Sequence, residues 1–355
     1  MPDDKWRDLA CGNVLPDFGG VIGPHGRIPA KESKRPFAAI MSSPMWKKLL
    51  LALLAVVVIS VGMIGISYLN WRSDRLEAIH AGSRSVDTRL GTIAFTLTGS
   101  SGPVILFLHG IPGGYDQAPA WQRDGFRLLA PSRPGYLGTP IEVGRTPAEQ
   151  ADAYLALLDE LGIEEVVLMG ASGGGPSAIA FSAMFPDRSS GLILLEAMSQ
   201  SFPNDGTIMP LMRSDFLYWS MMKAMLKTGG AEALVASQVP DEENQRRILE
   251  YPERVAEFER VIWSIWPPSE RLDGWENDMA QLNELTLPVS EVRVPVLIIH
   301  GTADTQVPFE QSAALADSVV GAELYRVDGA DHMMPITHRA EIDAVIQRFL
   351  NSLGG

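Results

Sequence analysis

Near the middle of the chain the sequence reads Gly170-Ala171-Ser172-Gly173-Gly174, one hydroxyl set among residues with almost no side chain. A serine oxygen is a weak nucleophile until a base takes its proton. His332 in VDGADHMMP is the candidate base, and Asp304 in HGTADTQVP is the candidate acid that would fix the imidazole tautomer. The negative oxygen created by such an attack needs hydrogen-bond donors aimed at it. The Gly173 N–H, at the start of a helix, and the Ile111 N–H in FLHGIPGGYD are the candidates, with Gly113 and Gly114 giving the second loop room to turn. The chemistry these parts could perform together is acyl transfer. Glu196, at the end of another apolar run, is the alternative acid.

These side chains lie far apart along the chain, so the elements before each of them must bring them together. TIAFTLTG (92–99), VILFLHG (104–110) and FRLLAPSRPG (126–135) read as strands. Thr146-Pro147-Ala148-Glu149 has the composition of a helix start, with Thr to cap, Pro in the first turn and Glu three residues after the Thr. Ala151, Tyr154, Leu155, Leu158 and Leu161 then recur at helical spacing. EEVVLMG (164–170) is nearly continuous in apolar residues, as expected of a strand covered on both faces, and an Ala-rich helix follows it to about Pro186. GLILLEA (191–197), VPVLIIHG (294–301) and AELYRVDG (322–329) are further strands, with helices near 309–319 and 339–351. The alternation predicts an α/β class with a mostly parallel sheet. Ser172, Asp304 and His332 each follow a strand end, which such a sheet gathers at one edge.

Between 198 and 290 the alternation stops. The stretch reads as helical and is rich in Met and Trp, predicting a helical cap over the strand ends. Trp219, Met222 and Trp263 are the candidate substrate-binding side chains within it. His109 and His300, each before a glycine at a strand end, are expected to bond neighbouring loops. Asp328 and Asp331 are expected to shape a loop, and Arg133 to brace loops beside the site or hold a substrate carboxylate. His332 and His338 make no recognisable metal spacing, and no metal or cofactor is expected.

HGIPGG at 109–114, SRPGYLG at 132–138, GASGG at 170–174, HGTADTQVP at 300–308 and DGADH at 328–332 together resemble the α/β-hydrolase family, from about residue 85 to the end. The resemblance implies an eight-stranded, mostly parallel sheet, a helical cap after the sixth strand, and serine-based acyl transfer without a cofactor. Serine in the glycine-rich turn departs from the family's epoxide hydrolases and dehalogenases, which carry aspartate there. Ile111 stands where relatives resembling proline iminopeptidases usually have a second glycine, which weakens a peptidase reading.

From Leu49 to Leu69 there are twenty-one residues without a charge. As a helix they would be roughly 31 Å long, near the thickness of a bilayer's hydrocarbon core. Lys47 and Lys48 precede them and Trp46, Tyr68 and Trp71 flank them, which predicts a single-pass signal anchor over 47–72 with an extracytoplasmic catalytic domain. Arg72, Arg75 and Arg84 on the far side weigh against that orientation without reversing it. A short polar linker should join the anchor to a core at 85–197 and 291–355. Residues 1–46 read as a disordered tail, and Met41 or Met45 as the true start of the chain.

Composition narrows the partners. A net charge of −14 and a pI near 4.9 give no electrostatic fit to nucleic acid. The single cysteine, Cys11, excludes an intrachain disulfide and a cysteine-rich zinc site. The expectation is therefore a membrane-anchored serine hydrolase that acts on small acyl substrates, carboxylic esters and lactones first. Amide or peptide hydrolysis, carbon–carbon bond hydrolysis and a non-catalytic binding role are the alternatives.

Overall fold

The structure, a computed structural model, describes residues 44–354 apart from 205 and 209. The expected tail, with Cys11 and Met41, lies outside these residues up to position 43. The chain divides into two units between Ile64 and Gly65. The described part of the first is helical, its apolar side chains from Leu49 to Ile64 mostly exposed.

In the second unit eight strands form one sheet. They are β1 (Arg84–Thr88), β2 (Gly91–Thr98), β3 (Val104–Leu108), β4 (Arg127–Pro131), β5 (Val166–Ala171), β6 (Ser189–Leu195), β7 (Val296–Gly301) and β8 (Glu323–Val327), in the order β1-β2-β4-β3-β5-β6-β7-β8. β1 and β2 run antiparallel to their neighbours, and every pairing from β4 through β8 is parallel. β1, RSVDT, is the strand the sequence reading lacked. It is polar and half exposed at the sheet's edge, and pairs only with β2.

Alternation along the central strands decides which core each residue enters. Leu106, Leu108, Leu168, Leu192, Leu194 and Ile298 pack on one face against Leu157, Leu158 and Phe181, from helices α2 (Pro147–Glu160) and α3 (Gly175–Met184). Ile105, Phe107, Val167, Ile193, Leu195, Leu297 and Ile299 point the other way. They meet Val345, Ile346 and Phe349 of α10 (Arg339–Leu353), the last element, which follows α9 (Met334–Thr337). Both faces are covered, so the strands carry apolar residues without a polar side. The capping box expected at α2 is formed: Thr146 Oγ1 accepts from the Glu149 N–H at 3.2 Å, and Glu149 Oε2 from the Thr146 N–H at 2.9 Å.

Between β6 and β7 lie four longer helices: α4 (Asp215–Ala236), α5 (Glu242–Leu249), α6 (Pro252–Trp263) and α7 (Leu272–Leu282). α8 (Phe309–Ser318) fills the β7–β8 crossover.

The expected polar linker after the apolar stretch is absent. Helix α1 runs unbroken from Pro44 to His80, and the compact unit begins at Gly65 rather than at residue 85. The physical reason is a stripe on its last turns. Tyr68, Trp71, Arg75 and Ile79 recur at three- and four-residue spacing and pack on the cap side of the unit. Trp71 lies 5.0 Å from the Trp263 ring and 4.7 Å from Trp266, Tyr68 lies 5.3 Å from Trp219, and Ile79 is buried. His80 Nδ1 reaches the Tyr115 hydroxyl at 2.9 Å. Trp71→Ala should therefore lower unfolding stability by roughly 2–4 kcal/mol, approaching the loss for a buried aromatic. Leu53→Ala, on the exposed apolar stretch, should change it by less than about 0.5 kcal/mol. Denaturant unfolding in detergent micelles measures both, and equal effects would contradict the packing described.

Candidate active site

The turn after β5 places Ser172 in left-handed backbone, φ 47°, a conformation that costs a non-glycine residue on the order of 1–3 kcal/mol. Its neighbours are small because there is no room for more. A β-carbon on Gly170 would lie 2.8 Å from the Ala178 Cβ, and one on Gly174 would lie 2.1 Å from the Leu108 carbonyl oxygen. From the β3 loop, Gly110 comes so near that a β-carbon there would sit 3.2 Å from the Ser172 Cβ. The Ile111 side chain lies directly over Gly173, where any β-carbon would strike it. The two amides proposed for the oxyanion thus belong to touching residues. The Ile111 N–H has no protein acceptor among the described residues.

Asp304 follows β7 and its side chain is fully buried. Its Oδ1 accepts from the backbone N–H groups of Gln306 at 2.8 Å and Val307 at 2.9 Å. Its Oδ2 accepts from His332 Nδ1 at 2.7 Å and lies 3.2 Å from His300 Nε2. Burial alone would raise this carboxyl's pKa, but the hydrogen bonds from His300 and His332 outweigh it and hold the pKa well below the usual carboxylate range. Sequence reasoning expected His300 only to bond loops. It does so, through Ser312 Oγ at 2.6 Å and the Val307 carbonyl at 3.0 Å, and it also faces the acid.

Glu196, the alternative acid, follows β6 with φ 37° and is buried. Its Oε2 has no hydrogen-bond partner, and His332 is bonded to Asp304 instead. Burial, then the charge of Asp304, pushes its carboxyl well above the usual range.

His109 bridges loops as expected. Its Nε2 accepts from the Arg133 N–H at 2.9 Å, so the proton sits on Nδ1, which donates to the Gly110 carbonyl at 2.8 Å. Burial, then the nearby Arg133 charge, keeps its pKa well below the usual histidine value. Arg133 braces the loop after β4 against α7: NH2 meets Asp278 Oδ1 at 2.7 Å, and Tyr136 donates to Asp278 Oδ2 at 2.6 Å. Asp331 accepts from the Met333 N–H at 2.9 Å, a loop-shaping contact.

Arg271 was not anticipated. It sits at the start of α7, fully buried, and reaches back to the β3 loop. There it donates to the Gly113 carbonyl and to Asp116 Oδ2, the latter at 2.9 Å. The bonded residues are 155 positions apart, so no local pattern marks them. A cavity of about 20 Å3, room for roughly one water, lies between α7 and the core. Ile111, Gly173, Arg133, Asp278 and Leu282 line it.

Trp219, Met222 and Trp263, the candidate substrate-binding side chains, take part in the packing of the cap. They pack with Tyr68, Trp71 and Tyr218 around the end of α1, and none of them borders that cavity. Large apolar side chains in a cap serve its own packing first.

Residues 103–339, more than half of the chain, match the family described as alpha/beta hydrolase fold. The chain belongs to the α/β-hydrolase fold family. A solved α/β-hydrolase fold protein from Nakamurella multipartita is 30% identical, with a TM-score of 0.69, over 77% of this chain and 100% of that one. An uncharacterized hydrolase of Bacillus subtilis (strain 168) is 34% identical over 114 residues, 32% of this chain and only 40% of that protein. A bifunctional esterase/perhydrolase of Acinetobacter calcoaceticus is 26% identical over 70% of this chain and 92% of its own length. A 2-hydroxymuconate semialdehyde hydrolase of Pseudomonas putida is 24% identical over 63% and 76%.

In this α/β-hydrolase the two candidate acids carry opposite pKa shifts, which separates them experimentally. The lowered pKa of Asp304 gives stability that is present above its unfolded value of about 3.9 and lost as pH falls through the folded one. The raised pKa of Glu196 gives stability present below its unfolded value of about 4.3 and lost as pH rises. Glu196→Gln should therefore raise the melting temperature at pH 8 more than at pH 4, and keep turnover within a few-fold. Asp304→Asn should lower kcat by about 10³–10⁴. Melting curves and initial rates across pH check both, and the reverse assignment would make Glu196→Gln the damaging variant.

Proposed function

We propose that the protein is a membrane-anchored serine hydrolase that cleaves carboxylic esters, lactones included, through an acyl-enzyme on Ser172. The observation that carries this reading is the 2.7 Å hydrogen bond from His332 Nδ1–H to a buried, ionised Asp304. It directs the other ring nitrogen, Nε2, to act as the base. Ser172 Oγ attacks the acyl carbonyl carbon as its proton passes to His332 Nε2. The new oxyanion takes hydrogen bonds from the Gly173 and Ile111 amides. The His332 imidazolium returns the proton to the leaving alkoxide as the carbon–oxygen bond breaks. Water then repeats the sequence on the acyl-serine, releasing the acid. The steps need no cofactor or metal.

The anchor rests on α1, long and apolar enough to cross a membrane, with Lys47 and Lys48 at its start favouring a cytoplasmic N-terminus and an extracytoplasmic catalytic unit. The similarity to an esterase/perhydrolase supports the ester reading. The similarity to 2-hydroxymuconate semialdehyde hydrolase supports carbon–carbon bond hydrolysis as a second. A fluorophosphonate probe should label the protein and fail to label Ser172→Ala, in which turnover drops by roughly 10³ or more. In the same preparation, p-nitrophenyl esters and lactones should turn over faster than aminoacyl anilides or vinylogous 1,5-diketones. Faster cleavage of the diketones would move the protein to the second reading, and labelling that survives Ser172→Ala would overturn both.

A further inference from the structure

Outside helix α1, five large apolar side chains are exposed among the described residues: Met184, Phe216, Leu217, Tyr251 and Val320. Only Phe216 and Leu217 are adjacent, at the first turn of α4, where they are 39% and 45% exposed. The residues that follow on α4 are committed to packing, since Tyr218, Trp219 and Met222 are buried. The position of the exposed pair is set by Tyr68. Its ring makes an edge contact with Phe216 at 5.2 Å and touches Trp219 at 5.3 Å, and Phe216 stacks on Trp219 at 5.8 Å.

Tyr68 lies near the end of the charge-free stretch, four residues before its first charge, Arg72. On either side of it, Ile66 is 62% and Leu69 61% exposed. Tyr68 stands at the same level along α1 as Ile66 and Leu69, on a neighbouring face of the helix, and its ring meets Phe216. Tyrosine at such a place matches the enrichment of amphipathic rings at the headgroup level.

We propose that Phe216 and Leu217, with Tyr68, form a lipid-contacting patch, and that its partner is the interfacial layer of the bilayer in which α1 is anchored. The inference rests on the membrane-anchored reading of α1. It adds that the cap itself touches the membrane, its first turn sunk about 5–10 Å into the headgroup and acyl boundary, the depth at which amphipathic helices lie. The cap then has two fixed neighbours, the end of α1 through the Trp71 cluster and the lipid surface through Phe216 and Leu217.

The test uses the full chain carrying Cys11→Ser, in phosphatidylcholine–phosphatidylglycerol vesicles. Single cysteines are introduced as Leu217→Cys, Val58→Cys and Val320→Cys, and each is labelled with an environment-sensitive fluorophore. Lipids bearing a spin label near the headgroup should quench position 217 and leave position 320 bright, while aqueous iodide should do the opposite. Lipids labelled deep in the acyl chain should quench position 58. Quenching at 58 but not at 217, with 217 open to iodide, overturns the patch and leaves the anchor standing. Shielding of 217 from iodide without lipid quenching assigns the patch to a second copy of the chain and also overturns the proposal. Absence of lipid quenching at both 58 and 217 overturns the anchor and the patch together.

Discussion

A carboxylate with no solvent contact keeps its charge only if enough donors surround it, and Asp304 is held in that condition. Two backbone amides grip one oxygen, while His332 and His300 face the other. The amides come from the turn directly after β7, so the charge is supported by backbone that the sheet itself fixes. Its effect passes to His332, whose ring is held in one orientation and one tautomer. In the proposed reaction the hydroxyl raised on the left-handed turn at Ser172 would pass its proton to that ring. Glu196, equally buried but without a partner for Oε2, shows what the same residue class does when the donors are missing.

Two buried ion pairs tie the cap to the core in opposite senses. Arg133 of the core meets Asp278 of α7, and Arg271 at the start of α7 meets Asp116 of the core loop. Such pairs add little net stability compared with well-packed apolar residues, yet removing one partner costs about 3–5 kcal/mol. Their contribution here is placement. Arg271 also holds the Gly113 carbonyl, two residues from the Ile111 amide, so the cap helix takes part in shaping the loop from which an oxyanion donor is expected. The cap is thus tied into the loops around the candidate site.

Much of this was legible in the sequence where a local signal existed. The glycine spacing around Ser172 reports steric limits that the structure shows at Gly170 and Gly174, and the Thr146–Glu149 cap is a four-residue pattern read correctly from composition. Asp304 could be placed at a strand end because apolar continuity reveals β7, and His332 because the glycine-bounded run AELYRVDG reads as a strand although half of it is polar. What escaped had no local signature or had a misleading one. β1 is polar because it lies at the sheet's edge, and Arg271 and Asp116 pair across a long separation. The charges of Arg72, Asp74 and Arg75 suggested a linker, although the 68–71–75–79 spacing carries helical packing within the same residues. The neighbours of Trp219, Met222 and Trp263 were hidden as well, because an apolar residue type does not say which apolar neighbour it meets.

Proton NMR of the protein in detergent micelles reads the Asp304–His332 hydrogen bond directly. A far-downfield Nδ1–H resonance is predicted at neutral pH, lost in His332→Ala and shifted upfield in Asp304→Asn. A spectrum whose downfield signals are untouched by either substitution would contradict it.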